Sequence, residues 1–122
     1  MSPLVLVDTS VWVKHFRAGD AQLARLLEES EVIGHPFIVG ELACGQIKNR
    51  LKILGLLQSL ASLQVVSASE YLFFIERYQL MGRGLGFVDI HLLASAKLEG
   101  VRLWSYDTHL MKSADRLEVS FP

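Results

Sequence analysis

An α/β domain with a central, mainly parallel sheet is the fold class that this sequence predicts, and three observations predict it. Short continuous apolar runs recur, beginning with Leu4-Val5-Leu6-Val7, which suit strands covered on both faces. Segments with leucines at helical spacing alternate with them from end to end, the pattern of a parallel sheet with right-handed crossovers and helices in flanking layers, α/β/α. The length of 122 residues suits one domain, 1–122, because two cores would each be too small to offset the entropy of ordering them.

Element by element, residues 4–7 form the first strand and 11–17 a short helix that breaks at Ala18-Gly19. Asp20 N-caps a second helix, with Leu23, Leu26 and Leu27 on one face and Arg25, Glu28 and Glu29 turned to water. Val32-Ile33 is a short strand, and His35-Pro36 opens a helix over 37–46, since proline fits the first turn. Leucines and isoleucines at 51, 53, 54, 56, 57 and 60 predict one long helix over 48–60 despite Gly55. Residues 63–66 read as a strand, and Ser69 as the cap of a helix running to about 81. Gly82-Arg83-Gly84-Leu85-Gly86 is a glycine-dense loop, read as a hinge; the helix over 87–99 stops at Gly100. Residues 101–106 are a further strand, Thr108 starts a short helix, and 117–119 read as an edge strand.

Composition narrows the function. Hydrophobic residues make up 51% and mean hydropathy is +0.32, which excludes disorder, yet no apolar run approaches the roughly 20 residues of a membrane span. Met1-Ser2-Pro3 lacks the basic segment of a signal peptide, and the single cysteine, Cys44, cannot form an internal disulfide, so a reducing cytoplasm is expected. A net charge of −1 is not that of a strongly basic nucleic-acid binder, and Lys48, Arg50 and Lys52 read as a solvated helix face.

Four acids stand out from the rest, which lie among polar neighbours or near element ends, Asp20 included. Asp8 and Asp107 each end an apolar strand, where ligands bind in open α/β sheets. Asp89 lies in Phe87-Val88-Asp89-Ile90-His91, flanked by apolar residues; it could instead serve a helix N-terminus, as Asp8 could instead bond the following turn. Glu41 has Phe37, Ile38 and Cys44 as its helix neighbours and no lysine or arginine within one turn; burial there would call for a cation. Four carboxylates brought together repel unless hard cations intervene, and all-oxygen ligation selects Mg²⁺ or Mn²⁺ over zinc. Such a site supports metal-assisted phosphodiester hydrolysis, in which water attacks in line.

The sequence resembles the PIN domains, and among them the compact VapC-type toxins of toxin–antitoxin pairs. The likeness is carried by Leu6-Val7-Asp8-Thr9-Ser10-Val11-Trp12-Val13, by Val39-Gly40-Glu41-Leu42, by Gly84-Leu85-Gly86-Phe87-Val88-Asp89-Ile90-His91-Leu92-Leu93-Ala94-Ser95-Ala96, and by Leu103-Trp104-Ser105-Tyr106-Asp107. It implies an α/β/α fold, a divalent-metal site from Asp8, Glu41, Asp89 and Asp107, endoribonuclease activity, a homodimer, and a small antitoxin partner that occupies the active-site groove. Ser105, two before the last acid, stands where members place a hydroxyl, and Ser10 is a further polar candidate; water-positioning or ligand-supporting roles are expected for both. The chain departs from many members at Leu110, where they carry an aromatic, and at Tyr106, where they carry a basic or polar residue.

Arg83 is a candidate phosphate contact in the glycine loop. Trp12 and Trp104 are expected in the core rather than stacked on bases, and His91 and His109 are not expected to bind magnesium. A haloacid-dehalogenase-like phosphatase would need a second Asp where Ser10 stands, and a receiver domain an acidic pair and a late lysine. A housekeeping RNA-processing nuclease and a non-catalytic binding module are the alternatives to a toxin.

Overall fold

The computed structural model describes residues 3–122; Met1 and Ser2, on which the signal-peptide reading partly rests, lie outside the described residues. A three-stranded parallel sheet, β1 (Val5–Val7), β2 (Val32–Ile33) and β3 (Arg102–Trp104), has the order β2-β1-β3. All three residues of β1 are buried, so helices must cover both faces of the sheet. They are α1 (Thr9–Ala18), α2 (Ala21–Glu28), α3 (Pro36–Cys44), α4 (Arg50–Ser59), α5 (Ala68–Tyr78), α6 (Phe87–Glu99) and α7 (Thr108–Arg116). The α/β fold class is therefore as predicted.

Several boundaries follow local chemistry that the apolar pattern conceals. Helix α5 begins at the Ser67 cap, not Ser69, because Ser67 and Glu70 form a reciprocal capping box. It ends at Tyr78, where Gln79 turns left-handed. The long helix over 48–60 is shorter, Arg50–Ser59, since Asn49 precedes it in the left-handed region. The strands expected at 63–66 and 117–119 are absent as strands. Each side of the sheet gains only one parallel bridge, Gly34 with Ser62 and Leu103 with Ser120. On the first side pairing stops after Gly34 N–H bonds the Ala61 carbonyl and Leu63 N–H the Gly34 carbonyl, and the chain then turns into the α5 cap. On the second, Leu117 is still the C-cap of α7 and Glu118 has a positive φ of 62°, so extended backbone cannot start before Val119.

Asp20 N-caps α2 as expected, accepting from the N–H groups of Gln22 and Leu23, but it is buried rather than solvated. Burial alone would raise its pKa; hydrogen bonds from Tyr106 Oη, the Leu23 N–H and Lys14 more than offset that and bring it to about 2. Tyr106, one of the departures from the family pattern, thereby ties the loop after β3 to the start of α2. Trp12 and Trp104 are in the core, Trp12 stacked on Phe16 and Trp104 against Phe121. Among the described residues no helix is long and apolar enough to cross a membrane.

Candidate active site

β1 lies centrally, and the chain leaves it first towards β2 and later returns on its other side as β3. The crevice beyond the carboxyl ends of β1 and β3 is thus a topological switch point, where open α/β sheets bind ligands. Val7 pairs with Trp104, and Asp8 N–H donates to the Trp104 carbonyl at 2.9 Å, so Asp8 and Ser105 emerge side by side. Ser105 Oγ donates to Asp8 Oδ2 at 2.6 Å and accepts from the Asp107 N–H at 2.9 Å. Ser10 Oγ donates to the same Asp8 oxygen at 2.9 Å and accepts from the Tyr106 N–H at 3.0 Å. Two serines therefore clamp the first acid and orient the loop carrying the last.

Asp8 occupies the N-cap position of α1 yet makes no side-chain cap bond, so the reading in which it merely closes the turn does not apply. Asp107 does cap α7, accepting at Oδ1 from the N–H groups of His109 and Leu110. Asp89, in the first turn of α6, accepts the Gly86 N–H at Oδ2 over 2.9 Å. Three helix N-termini thus bring acids to one place, and their dipoles partly offset the repulsion. Glu41 corrects the sequence reading: it is exposed, because α3 buries Ile38 and Leu42 and turns Glu41 outward, so no burial penalty demands a cation there. Instead Thr9 Oγ1 donates to Glu41 Oε1 at 2.7 Å and joins α3 to α1. Thr9 was overlooked in the sequence, though its place directly after the strand-end Asp8 marked it.

The Asp89 carboxyl is held above the usual range, first by burial, with the Gly86 N–H opposing and the charges of Asp8, Asp107 and Glu41 adding to the rise. The four acids therefore share one electrostatic field. Each has one oxygen fixed by a protein donor, while Asp8 Oδ1, Glu41 Oε2, Asp89 Oδ1 and Asp107 Oδ2 accept no hydrogen bond from the described residues. Among those residues no three of His, Cys, Asp or Glu stand close enough to form a ready-made metal cage.

The remaining candidates are separate from this group. Arg83 is exposed, its Nε donating to the Gln79 carbonyl at 2.8 Å. His91 is buried among Phe37, Tyr71 and Phe87. Beside Glu41 and Thr9 a cavity of about 540 Å³ opens between α1 and the start of α4, with Arg17 and Lys48 on its walls. Arg50 instead donates to the Gly45 and Ala43 carbonyls at the end of α3.

The PIN-domain model matches residues 5–117. The chain belongs to the PIN-domain family. It is 48% identical over 108 residues to Ribonuclease VapC32 of Mycobacterium tuberculosis, covering 88% of this chain and 87% of that protein. Among solved structures, PAE2754 from Pyrobaculum aerophilum superposes with a TM-score of 0.65 at 18% identity, covering 97% of both chains. FitAcB from Neisseria gonorrhoeae does so with a TM-score of 0.64 at 19% identity, covering 92% of this PIN domain and 94% of its own chain. At those identities the two structures speak for the fold of this PIN domain alone.

Proposed function

We propose that this PIN domain is a divalent-metal-dependent endoribonuclease and the toxin of a toxin–antitoxin pair. The observation that carries the catalytic reading is the set of four carboxylates around one crevice, each with one oxygen anchored and one left for a ligand. Kinship to a protein named Ribonuclease VapC32 supports RNA as the substrate. Asp8, Glu41, Asp89 and Asp107 would hold the ion, Mg²⁺ foremost and Mn²⁺ as the substitute, which supplies charge neutralisation at the scissile phosphate and an activated water. Around it the chain's own residues do the positioning. Ser105 and Ser10 fix Asp8, the Asp107 N–H fixes the Ser105 hydroxyl, and Thr9 fixes Glu41. Glu41 and Asp107 are exposed, so the site is open to solvent on their side. A cytoplasmic location, a homodimer and a small antitoxin that occludes the crevice complete the reading.

The experiment is cleavage of single-stranded RNA by the purified protein, with chelator and with Mg²⁺ restored. Cleavage that needs the ion and leaves ends from hydrolysis of one phosphodiester bond supports the proposal; cleavage undiminished by chelator, or none with Mg²⁺, overturns it. The toxin assignment is read separately, from growth arrest on induction that a small protein encoded next to this one relieves.

Ser105→Ala tests the clamp. Removing a residue that orients a metal ligand costs about 10–100-fold in metal affinity or activity, so the Mg²⁺ concentration for half-maximal cleavage should rise within that range while the fold is kept. An unchanged Mg²⁺ dependence would mean that the Asp8 orientation does not depend on Ser105.

A further inference from the structure

We propose that single-stranded RNA leaves the carboxylate crevice along a cationic track built from the outer face of α7 and the ends of α5 and α6. This rests on the nuclease reading and assigns the path of its substrate. His109, Lys112 and Arg116 follow one another on α7 at spacings of three and four, so they share one face. With Arg83 and Ser113 they line a cavity of about 330 Å³ whose walls carry no acid. Arg116 also lines the next cavity, of about 410 Å³, with Arg77 and Lys97; Glu118 is its single acid. Five of the chain's 12 lysines and arginines therefore lie along this line, in a protein whose net charge is −1.

None of the five is neutralised. The two ion pairs among the described residues, Lys14–Asp20 and Arg25–Glu29, lie elsewhere. Backbone carbonyls hold three of the five in place: Gln79 for Arg83, Tyr78 for Arg116 and Leu117 for Lys97. Arg77 lies over the Tyr78 ring, 5.2 Å from its centre, and Lys112 makes no hydrogen bond or ion pair with the described residues. Cations aligned and restrained by uncharged acceptors keep their charge for an external polyanion.

The track also begins at the chemistry. The His109 N–H binds Asp107 Oδ1, and the glycine loop leading to Asp89 rests on the His109 ring: a β-carbon at Gly84 would stand 3.3 Å from its Cγ and Nδ1. From His109 to Arg116 α7 rises about 10 Å, roughly three nucleotides at the base spacing of a stacked strand. The resulting substrate is a strand of several nucleotides, bound by its phosphates on one side of the cut and read little by sequence there.

The test uses Lys112→Glu and the pair Lys112→Ala/Arg116→Ala, with Arg25→Ala/Lys52→Ala as a control that removes as many exposed cations elsewhere. Anisotropy of a labelled single-stranded RNA of about 12 nucleotides, measured in chelator against salt, reads binding whether or not the RNA is cut. The track predicts that the slope of log affinity against log salt falls by about 0.7 for each cation removed. With Mg²⁺, KM for that RNA should rise about 10-fold at unchanged kcat, with KM for a trinucleotide unaltered, while the control stays at wild type. Equal slopes and equal KM in track and control variants would overturn the proposal. So would weakened binding of the small protein encoded alongside with RNA binding intact, which would assign the cations to a protein partner. Should Arg116→Ala unfold the chain, Lys112→Glu, which breaks no bond, decides alone. Wild-type protein that binds RNA through these cations yet does not cut it would sink the nuclease reading and leave the track standing.

Discussion

Asp89→Asn should lower Mg²⁺-dependent RNA cleavage by about 10³-fold or more, while the metal-free protein melts at the same or a higher temperature. Both outcomes follow from one property. The Asp89 carboxyl is partly buried and faces Asp8, Asp107 and Glu41, so its charge is unfavourable until a cation joins them. The amide keeps an oxygen for the Gly86 N–H, whose bond to Oδ2 anchors the first turn of α6. It removes the charge that a hard cation needs and the repulsion that the empty crevice suffers. The linkage has a definite sign. A carboxyl whose native pKa is raised stabilises the fold while protonated, and that contribution is lost as pH rises through the raised value. The wild type should therefore lose stability relative to Asp89→Asn as pH rises from the ordinary carboxylate range through the raised value in chelator, and regain it with Mg²⁺. Melting curves over a pH series that starts below the ordinary carboxylate range, with and without the ion, check this. Full cleavage by the variant at saturating Mg²⁺ would remove Asp89 from the metal site.

How much of this was legible in the sequence depends on whether a residue's role is local. The apolar run ending at Asp8 and the Gly100 stop could be read because strand burial and helix termination are written within a few residues. The convergence of four acids could be read only through a resemblance, since nothing within the chain's spacing says that β1 and β3 are neighbours. The Glu41 argument failed because local apolar neighbours do not say which way a helix faces: α3 buries Ile38 and Leu42, and Glu41 points away from them. Asp20 failed in the opposite direction. Its N-cap role was visible, but the hydroxyl that bonds its second oxygen belongs to Tyr106, 86 residues away. The strands over 63–66 and 117–119 failed because apolar content was read without the capping box at Ser67 and the positive φ at Glu118 that end extended backbone there.

His35 is the residue whose importance the sequence hid most completely, and it supports the second large prediction: acidification from about pH 6.5 to 4 should remove about 3 kcal/mol of stability through this one side chain. His35 is fully buried, extended as the residue before a proline must be, and it caps α3 by accepting the Phe37 N–H at Nδ1 over 3.0 Å. Its Nε2 lies 3.2 Å from Ser95 Oγ on α6, and that hydroxyl donates its own proton to the Gln64 carbonyl at 3.0 Å. Ser95 is therefore an acceptor towards His35, which fixes the neutral ring with its proton on Nε2. A second proton would have to enter at Nδ1, where it would confront the Phe37 N–H, break the cap and leave a charge in the core.

Burial foremost, with the nearby His91 adding to it, holds the His35 pKa down to about 4. The unfolded chain takes up that proton near 6.5, so the contribution is complete above 6.5 and is lost as pH falls through the interval to 4. Asp20, brought to about 2, acts only below this window. His91, also lowered by burial, acts in the same direction as His35 and is present in both proteins compared. In His35→Asn, which keeps a capping oxygen but cannot titrate, urea unfolding should show a lower stability at pH 7 and a much shallower loss between pH 6.5 and 4.5. A loss as steep as that of the wild type would clear His35. The same network bears on the chemistry, because α3 carries Glu41 and α6 carries Asp89. The bond between His35 and Ser95 ties these two helices to one another, and protonation at Nδ1, which leaves that bond in place, acts on α3 by breaking its cap.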